Sequence, residues 1–289
     1  MKAVVTLSPE ESKRLIAKAI VDMGVVKKAK KDGIIGLARC SSAAFVVEEL
    51  TGRALGNRAH YLSGYMNQLG ACALGAEHQE KLLVLEKGEE HWMTFKDGNV
   101  ANFTDRMTPD DVIIKSGNVI DRDGNVGCLV ASPTGGEIGA YMPPILVRGI
   151  TFLVPMTLNK TLPISLDDAM KAMGAGNIHP DMCHGLRCGM MPMPGHVITE
   201  VDAIAQLTGA KALPISIGGL GSGAGALMLS IDGEDEQIEA AWKLVSGIRA
   251  KGEPPLESPA FNCDDCYIFE HPGLGNRCSA LPLPGCDCA

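Results

Sequence analysis

Asp111-Val112-Ile113-Ile114-Lys115-Ser116-Gly117-Asn118 is the stretch from which the fold is read. An unbroken apolar run with no polar alternation reads as a strand buried on both faces. The run ends in Lys115, Ser116, Gly117 and Asn118 and continues to Asp121, Asp123 and Gly124, which is turn chemistry. The carboxyl end of a buried strand in an open α/β sheet is where ligands sit. Lys115 offers a cation for a carboxylate or phosphate, and Asn118 and Asp121 offer hydrogen bonds to hydroxyls. A plain polar turn accounts for the same residues equally well.

The same design occurs on either side. Upstream, Gly33-Ile34-Ile35-Gly36-Leu37-Ala38 reads as a buried strand, then comes Arg39-Cys40-Ser41-Ser42, then a helix over residues 43–50 stopped by Gly52. A helix start with free N–H groups and two hydroxyls suits an anion held by Ser41 and Ser42; simple capping by either serine is the alternative. Downstream, a strand over residues 126–131 leads into Ser132-Pro133-Thr134-Gly135-Gly136-Glu137. Thr134, Gly135 and Gly136 repeat the anion-binding logic, paired glycines allowing close backbone approach, and Glu137 is placed to act as a general base. A tight structural turn is the other reading. A helix over residues 137–149 must break or restart at Pro143-Pro144. A strand at residues 151–155 precedes Lys160, which either completes the pocket as a second proton carrier or is a surface lysine.

Before this block, Ser8-Pro9-Glu10-Glu11 opens a helix with a capping box, and Leu15, Ile16, Ala19, Ile20 and Met23 form its apolar face up to Gly24. Residues 81–86 read as a strand, and residues 91–103 as a hairpin around Lys96-Asp97-Gly98-Asn99. A helix capped by Ser165 closes the first unit. After residue 173 come a Gly-, Met-, Pro- and His-rich segment, a helix over 200–208, strands over 211–217 and 226–231 around a glycine loop, and a helix over 234–248. That loop is not a dinucleotide fingerprint, because a strand follows it. The expectation is an α/β fold: an open, largely parallel sheet with helices on both faces (residues 1–173), a smaller α+β domain (174–253) and a Cys-rich irregular tail (254–289).

That tail holds Cys263-Asp264-Asp265-Cys266, then Cys278, Cys286 and Cys288. A Cys-x-x-Cys pair with further cysteines close by suits a four-ligand zinc or iron–sulfur (Fe-S) site, which would order a loop-rich segment with little core. Spacing does not separate the two metals, five thiols exceed the four needed, and redox-active or inert cysteines are the alternatives. The net charge is −8, and the cluster Lys27, Lys28, Lys30 and Lys31 reads as a solvated helix end, so no nucleic-acid partner is expected. No apolar run reaches the roughly 18 residues of a membrane span, and no export signal is read at the start. The expectation is a cytoplasmic homo-oligomer whose partner is a small anionic metabolite.

The block from Asp111 to Asp121, with Gly127 and Ser132 to Gly136, resembles the ribose-5-phosphate isomerase, glucosamine-6-phosphate deaminase and CoA-transferase superfamily. That resemblance covers roughly residues 10–173. It implies an enzyme of isomerase or transferase type with phosphate held at a strand–turn–helix, a place matched here by Ser41 and Ser42, and a sugar-hydroxyl loop at Asn118 and Asp121. Four departures stand beside it: Cys40 in the phosphate loop, no isomerase-type Asp-Gly-Ala-Asp run, no secure match for the CoA-transferase glutamate, for which Glu137 is tolerable, and the cysteine tail. A non-catalytic ligand sensor and a metal-dependent redox protein are the rival readings.

Overall fold

Short apolar segments form the centre of a mixed α/β protein with several sheets. The computed structural model describes residues 2–67, 70–75, 78–94, 99–179 and 182–257. In chain order the elements are β1 (Lys2–Leu7), α1 (Pro9–Asp22), α2 (Gly24–Asp32), β2 (Ile34–Leu37), α3 (Ser41–Thr51), β3 (Gly64–Asn67), β4 (Gly70–Ala73), β5 (Leu82–Glu86) and β6 (Glu89–Met93). They continue with α4 (Asn99–Thr104), β7 (Val112–Ile114), β8 (Val119–Asp121), β9 (Val126–Val130), α5 (Gly136–Arg148), β10 (Thr151–Pro155), β11 (Thr161–Leu162) and α6 (Leu166–Ala172). The last are β12 (Gly189–Pro192), β13 (His196–Ile198), α7 (Glu200–Thr208), β14 (Lys211–Gly218), β15 (Ala226–Asp232) and α8 (Asp235–Lys251).

The main sheet has six strands in the order β13-β10-β7-β2-β5-β6. β13, β10, β7 and β2 are parallel neighbours, while β5 and β6 are added antiparallel at the edge. Side chains alternate across a strand, so each apolar run serves two cores. Ile35, Leu37, Val112, Ile114 and Leu153 join α1 and α3 in one core, and Ile34, Ile113, Phe152 and Val154 join α5 in the other.

The capping box of α1 forms as expected: Ser8 Oγ accepts from Glu11 N at 3.1 Å, and Glu11 returns a bond to Ser8 N at 2.7 Å. Such a cap stabilises by about 1 kcal/mol. Leu15, Ile16, Ala19 and Ile20 on this helix are fully buried, and each large aliphatic among them contributes roughly 1.5–3 kcal/mol.

Four local expectations change. Residues 2–7, where the sequence reading places no strand, form β1 and pair antiparallel with β15. Val5 and Leu7 face Leu229 and Leu227 and share their core, a long-range pairing that local pattern does not encode. The lysine-rich segment after Gly24 is itself helical, as α2. α5 runs through Pro143 and Pro144; burial of Ile138, Tyr141, Met142 and Ile145 outweighs the two ladder bonds that prolines cannot donate. β6 pairs with β5 and not with residues 100–103, which lie in helix α4.

Candidate functional site

The four parallel strands end at one rim of the main sheet. Leu37 is in register with Ile114, Ile114 with Leu153, and Pro155 with Ile198. The chain leaving β2 therefore delivers Arg39 and Cys40 there, the chain leaving β7 delivers Lys115 and Ser116, the turn after β10 delivers Lys160, and the residue opening α7 after β13 is Glu200. Ligands of open α/β sheets lie at this edge.

Hydrogen bonds tie these residues together. Cys40, not Ser41 or Ser42, is the N-cap of α3: its Sγ accepts from Ala43 N at 3.4 Å and, across the strand pairing, from Ser116 N at 3.2 Å. Lys115 Nζ donates to the Arg39 carbonyl at 3.2 Å. Lys160 Nζ donates to the Gly117 carbonyl at 3.1 Å and to Ser116 Oγ at 3.4 Å. Glu137 reaches back from the first turn of α5, its Oε1 accepting from Arg39 N at 2.9 Å and its Oε2 from Arg39 Nε at 3.3 Å and Ser63 Oγ at 2.8 Å. The Arg39 guanidinium also donates to Gln79.

Burial gives these contacts their electrostatic weight. Arg39, Lys115, Ser116, Glu137 and Glu200 are all buried. Glu137 is the ion-pair partner of Arg39. Among the described residues, neither Lys115 nor Lys160 has a carboxylate within ion-pair distance, and both donate only to neutral oxygens. Burial and the like charge of Lys13 push the Lys160 ammonium down to about 8. Burial is the largest influence on Lys115 and opposes its charge, but Glu137, Cys128 and Cys40 together outweigh it and hold that ammonium above its ordinary range. Burial pushes the Glu200 carboxyl up to about 7, against hydrogen bonds that include those from Ser12 and Leu158 N. The rim thus holds surplus positive charge and two groups that titrate near neutrality.

Of the residues singled out in the sequence, Ser41, Ser42, Lys115, Glu137 and Lys160 come to this rim. Ser42 Oγ is buried without a hydrogen-bond partner among the described residues. Asn118 and Asp121 instead shape the β8–β9 hairpin. Asn118 is exposed, and its Oδ1 accepts from Leu129 N at 2.9 Å. The Asp121 carboxylate accepts from Asp123 N (2.9 Å), Asn125 N (2.8 Å), Asn125 Nδ2 (2.9 Å) and Leu166 N (2.9 Å). Thr134 is exposed, with its hydroxyl 3.2 Å from that of Ser132. Gly135 and Gly136 have φ of 78° and 57°, and a Cβ on Gly135 would stand 3.0 Å from Gly139 Cα. Their lack of side chains is required by the turn that aims Glu137.

Arg39, Cys40, Ser63, Ser116 and Glu200 were not singled out. Arg39, Cys40 and Ser116 sit beside residues that were, and strand-end position is the signal that finds them. Ser63 and Glu200 carry no local signal. The proposed metal ligands Cys263, Cys266, Cys278, Cys286 and Cys288 lie outside the described residues, within which no cluster of three His, Cys, Asp or Glu side chains is placed to hold a metal. Among the described residues no helix is long and apolar enough to cross a membrane.

Searches against protein-family models, curated proteins and solved structures return no match to this chain.

Proposed function

We propose that the chain is an enzyme acting on a small phosphorylated or carboxylated metabolite, of isomerase or transferase type, with Lys160 as the group that moves a proton. The observation that carries this is a pair of lysines, Lys115 buried and Lys160 half-buried, that among the described residues donate only to neutral oxygens at the carboxyl ends of parallel strands. Buried cations need compensating charge, and an anionic ligand beside Arg39, Lys115 and the first turn of α3 supplies it. An amine brought down to about 8 is suited to give and take a proton near neutral pH. Glu137, whose oxygens already accept three bonds, is given the role of positioning Arg39.

We read the six-stranded sheet as the open, largely parallel sheet of a ribose-5-phosphate isomerase-like domain with helices on both faces, and the tail cysteines as a zinc or Fe-S site outside that chemistry. A homo-oligomer is part of the proposal: edge strand β14 exposes Leu213, Ile215 and Ile217.

Turnover of a panel of sugar phosphates and 2-oxo acids by the wild type and Lys160→Met tests the proposal. Conversion of at least one compound, lost about 10²–10⁴-fold in the variant, is expected. Equal rates remove Lys160 from the mechanism. A ligand-dependent rise in melting temperature without turnover of any compound makes the protein a sensor.

A further inference from the structure

We propose that Cys40 is a nucleophile that adds to the carbonyl carbon of the small anion held at the same rim. The substrate class named here rests on the anionic-ligand reading above; the nucleophilic sulfur rests on its own observations. Cys40 Sγ receives two backbone N–H groups, from Ala43 at the start of the 11-residue helix α3 and from Ser116 on the neighbouring strand end. The two N–H groups stabilise negative charge on the sulfur as it gives up its proton in the attack. A serine would cap this helix with stronger hydrogen bonds, so capping alone does not call for sulfur.

Two further observations point to a ligand beside it. Lys115 and Lys160 lack a carboxylate partner among the described residues, and Lys160 is joined to Cys40 through Ser116, whose hydroxyl meets the ammonium and whose N–H meets the sulfur. Ser42, on the same first turn, has a buried hydroxyl with no partner among the described residues. Cys40 is also partly exposed, whereas Cys128 and Cys188 are buried.

The step balances without an oxidant or co-reactant. The neutral Lys160 amine takes the thiol proton, and a sulfur lone pair forms the S–C bond. The carbonyl π pair moves to oxygen, which takes the proton back from the Lys160 ammonium. The product is a hemithioacetal, and the step is reversible.

The experiment is alkylation of the full-length native chain by iodoacetamide, followed residue by residue by peptide mass spectrometry. Glyoxylate, an anionic aldehyde, is compared as a protectant with glycolate, which has the same carboxylate but no carbonyl. Alkylation of Cys40 at least tenfold faster than of Cys128 and Cys188, slowed by glyoxylate well beyond glycolate, is the expected result. Alkylation of Cys40 no faster than of the two buried cysteines overturns the nucleophile. Equal protection by the two acids overturns the addition and leaves anion binding standing. Failure of the anion reading shows differently, as rapid alkylation of Cys40 that neither acid slows, and this overturns the assigned substrate class. Cys40→Ser identifies the modified peptide and keeps the helix capped.

Discussion

The backbone N–H of Ser116 donates to Cys40 Sγ at 3.2 Å, joining the end of β7 to the start of α3. The same serine carries its hydroxyl to Lys160, on the turn after β10. Three neighbouring parallel strands thereby deliver chemistry to one place, each through the first few residues after its end.

Lys160 ties activity to pH and to stability. Its ammonium titrates at about 8 in the fold and near 10.4 in an unfolded chain. Between those values the unfolded chain binds more protons, so stability rises with pH from about 8 to about 10.4. At pH 7 the half-buried charge destabilises by at most roughly 3 kcal/mol. Lys160→Met is expected to melt above the wild type at pH 7, with the gap closing towards pH 10, while kcat/KM of the wild type rises with pH through about 8. A variant that melts below the wild type at pH 7 contradicts the burial argument.

Glu200 has the opposite sign. Its carboxyl titrates at about 7 in the fold and near 4.3 unfolded. In that window the folded chain binds more protons, so stability falls as pH climbs from about 4.3 to 7 and stays lower above it. Glu200→Gln keeps an acceptor for Leu158 N and is expected to stabilise by up to roughly 3 kcal/mol at pH 8 and by almost nothing at pH 4. Denaturant midpoints at the two values check this; an equal change at both defeats it.

Gly117 is a steric test of the site loop. A Cβ there would collide with Val126 and stand 2.7 Å from the Gly127 carbonyl oxygen. Gly117→Ala is expected to destabilise by about 1–3 kcal/mol and, by shifting the carbonyl that holds Lys160, to reduce activity more than stability. A neutral substitution on both counts would mean that the loop relaxes freely.

How much of this was legible follows from where each signal is stored. β2, β7 and β10 could be read because a buried strand is a continuous apolar run, and α1 because its capping box and its spacing agree. β1 could not, since Lys2–Leu7 becomes a strand only by pairing with β15, more than two hundred residues away. The glycine turn before Glu137 was legible, and its φ values aim that side chain at Arg39, a partner the local pattern does not name. Asn118 and Asp121 were legible as polar turn residues, and their side chains close the β8–β9 hairpin, the plain-turn alternative of the sequence reading. Lys115 and Lys160 were recognised as cations at strand ends, whereas their lack of carboxylate partners among the described residues depends on three-dimensional neighbours. Ser63 and Glu200 reach the site through tertiary packing alone.

A second core of charge, away from the rim, tests packing. Arg14 pairs with Glu48, Glu49 and Glu253, Arg58 pairs with Glu48 and Glu253, and the two guanidinium carbons lie 4.8 and 4.5 Å from the ring centroid of Phe45. Removing one partner of a buried pair strands the others. Glu48→Ala is expected to lower stability by about 3 kcal/mol with little change in turnover per folded molecule, measured by denaturant unfolding beside steady-state rates.

The most direct measurement is the melting temperature of the native chain as inorganic phosphate is raised, in the wild type and in Lys115→Met and Lys160→Met. A rim that gathers cations for an anion predicts a wild-type melting temperature that climbs with phosphate and a dependence that is lost in both variants. The same phosphate dependence in all three proteins would contradict it.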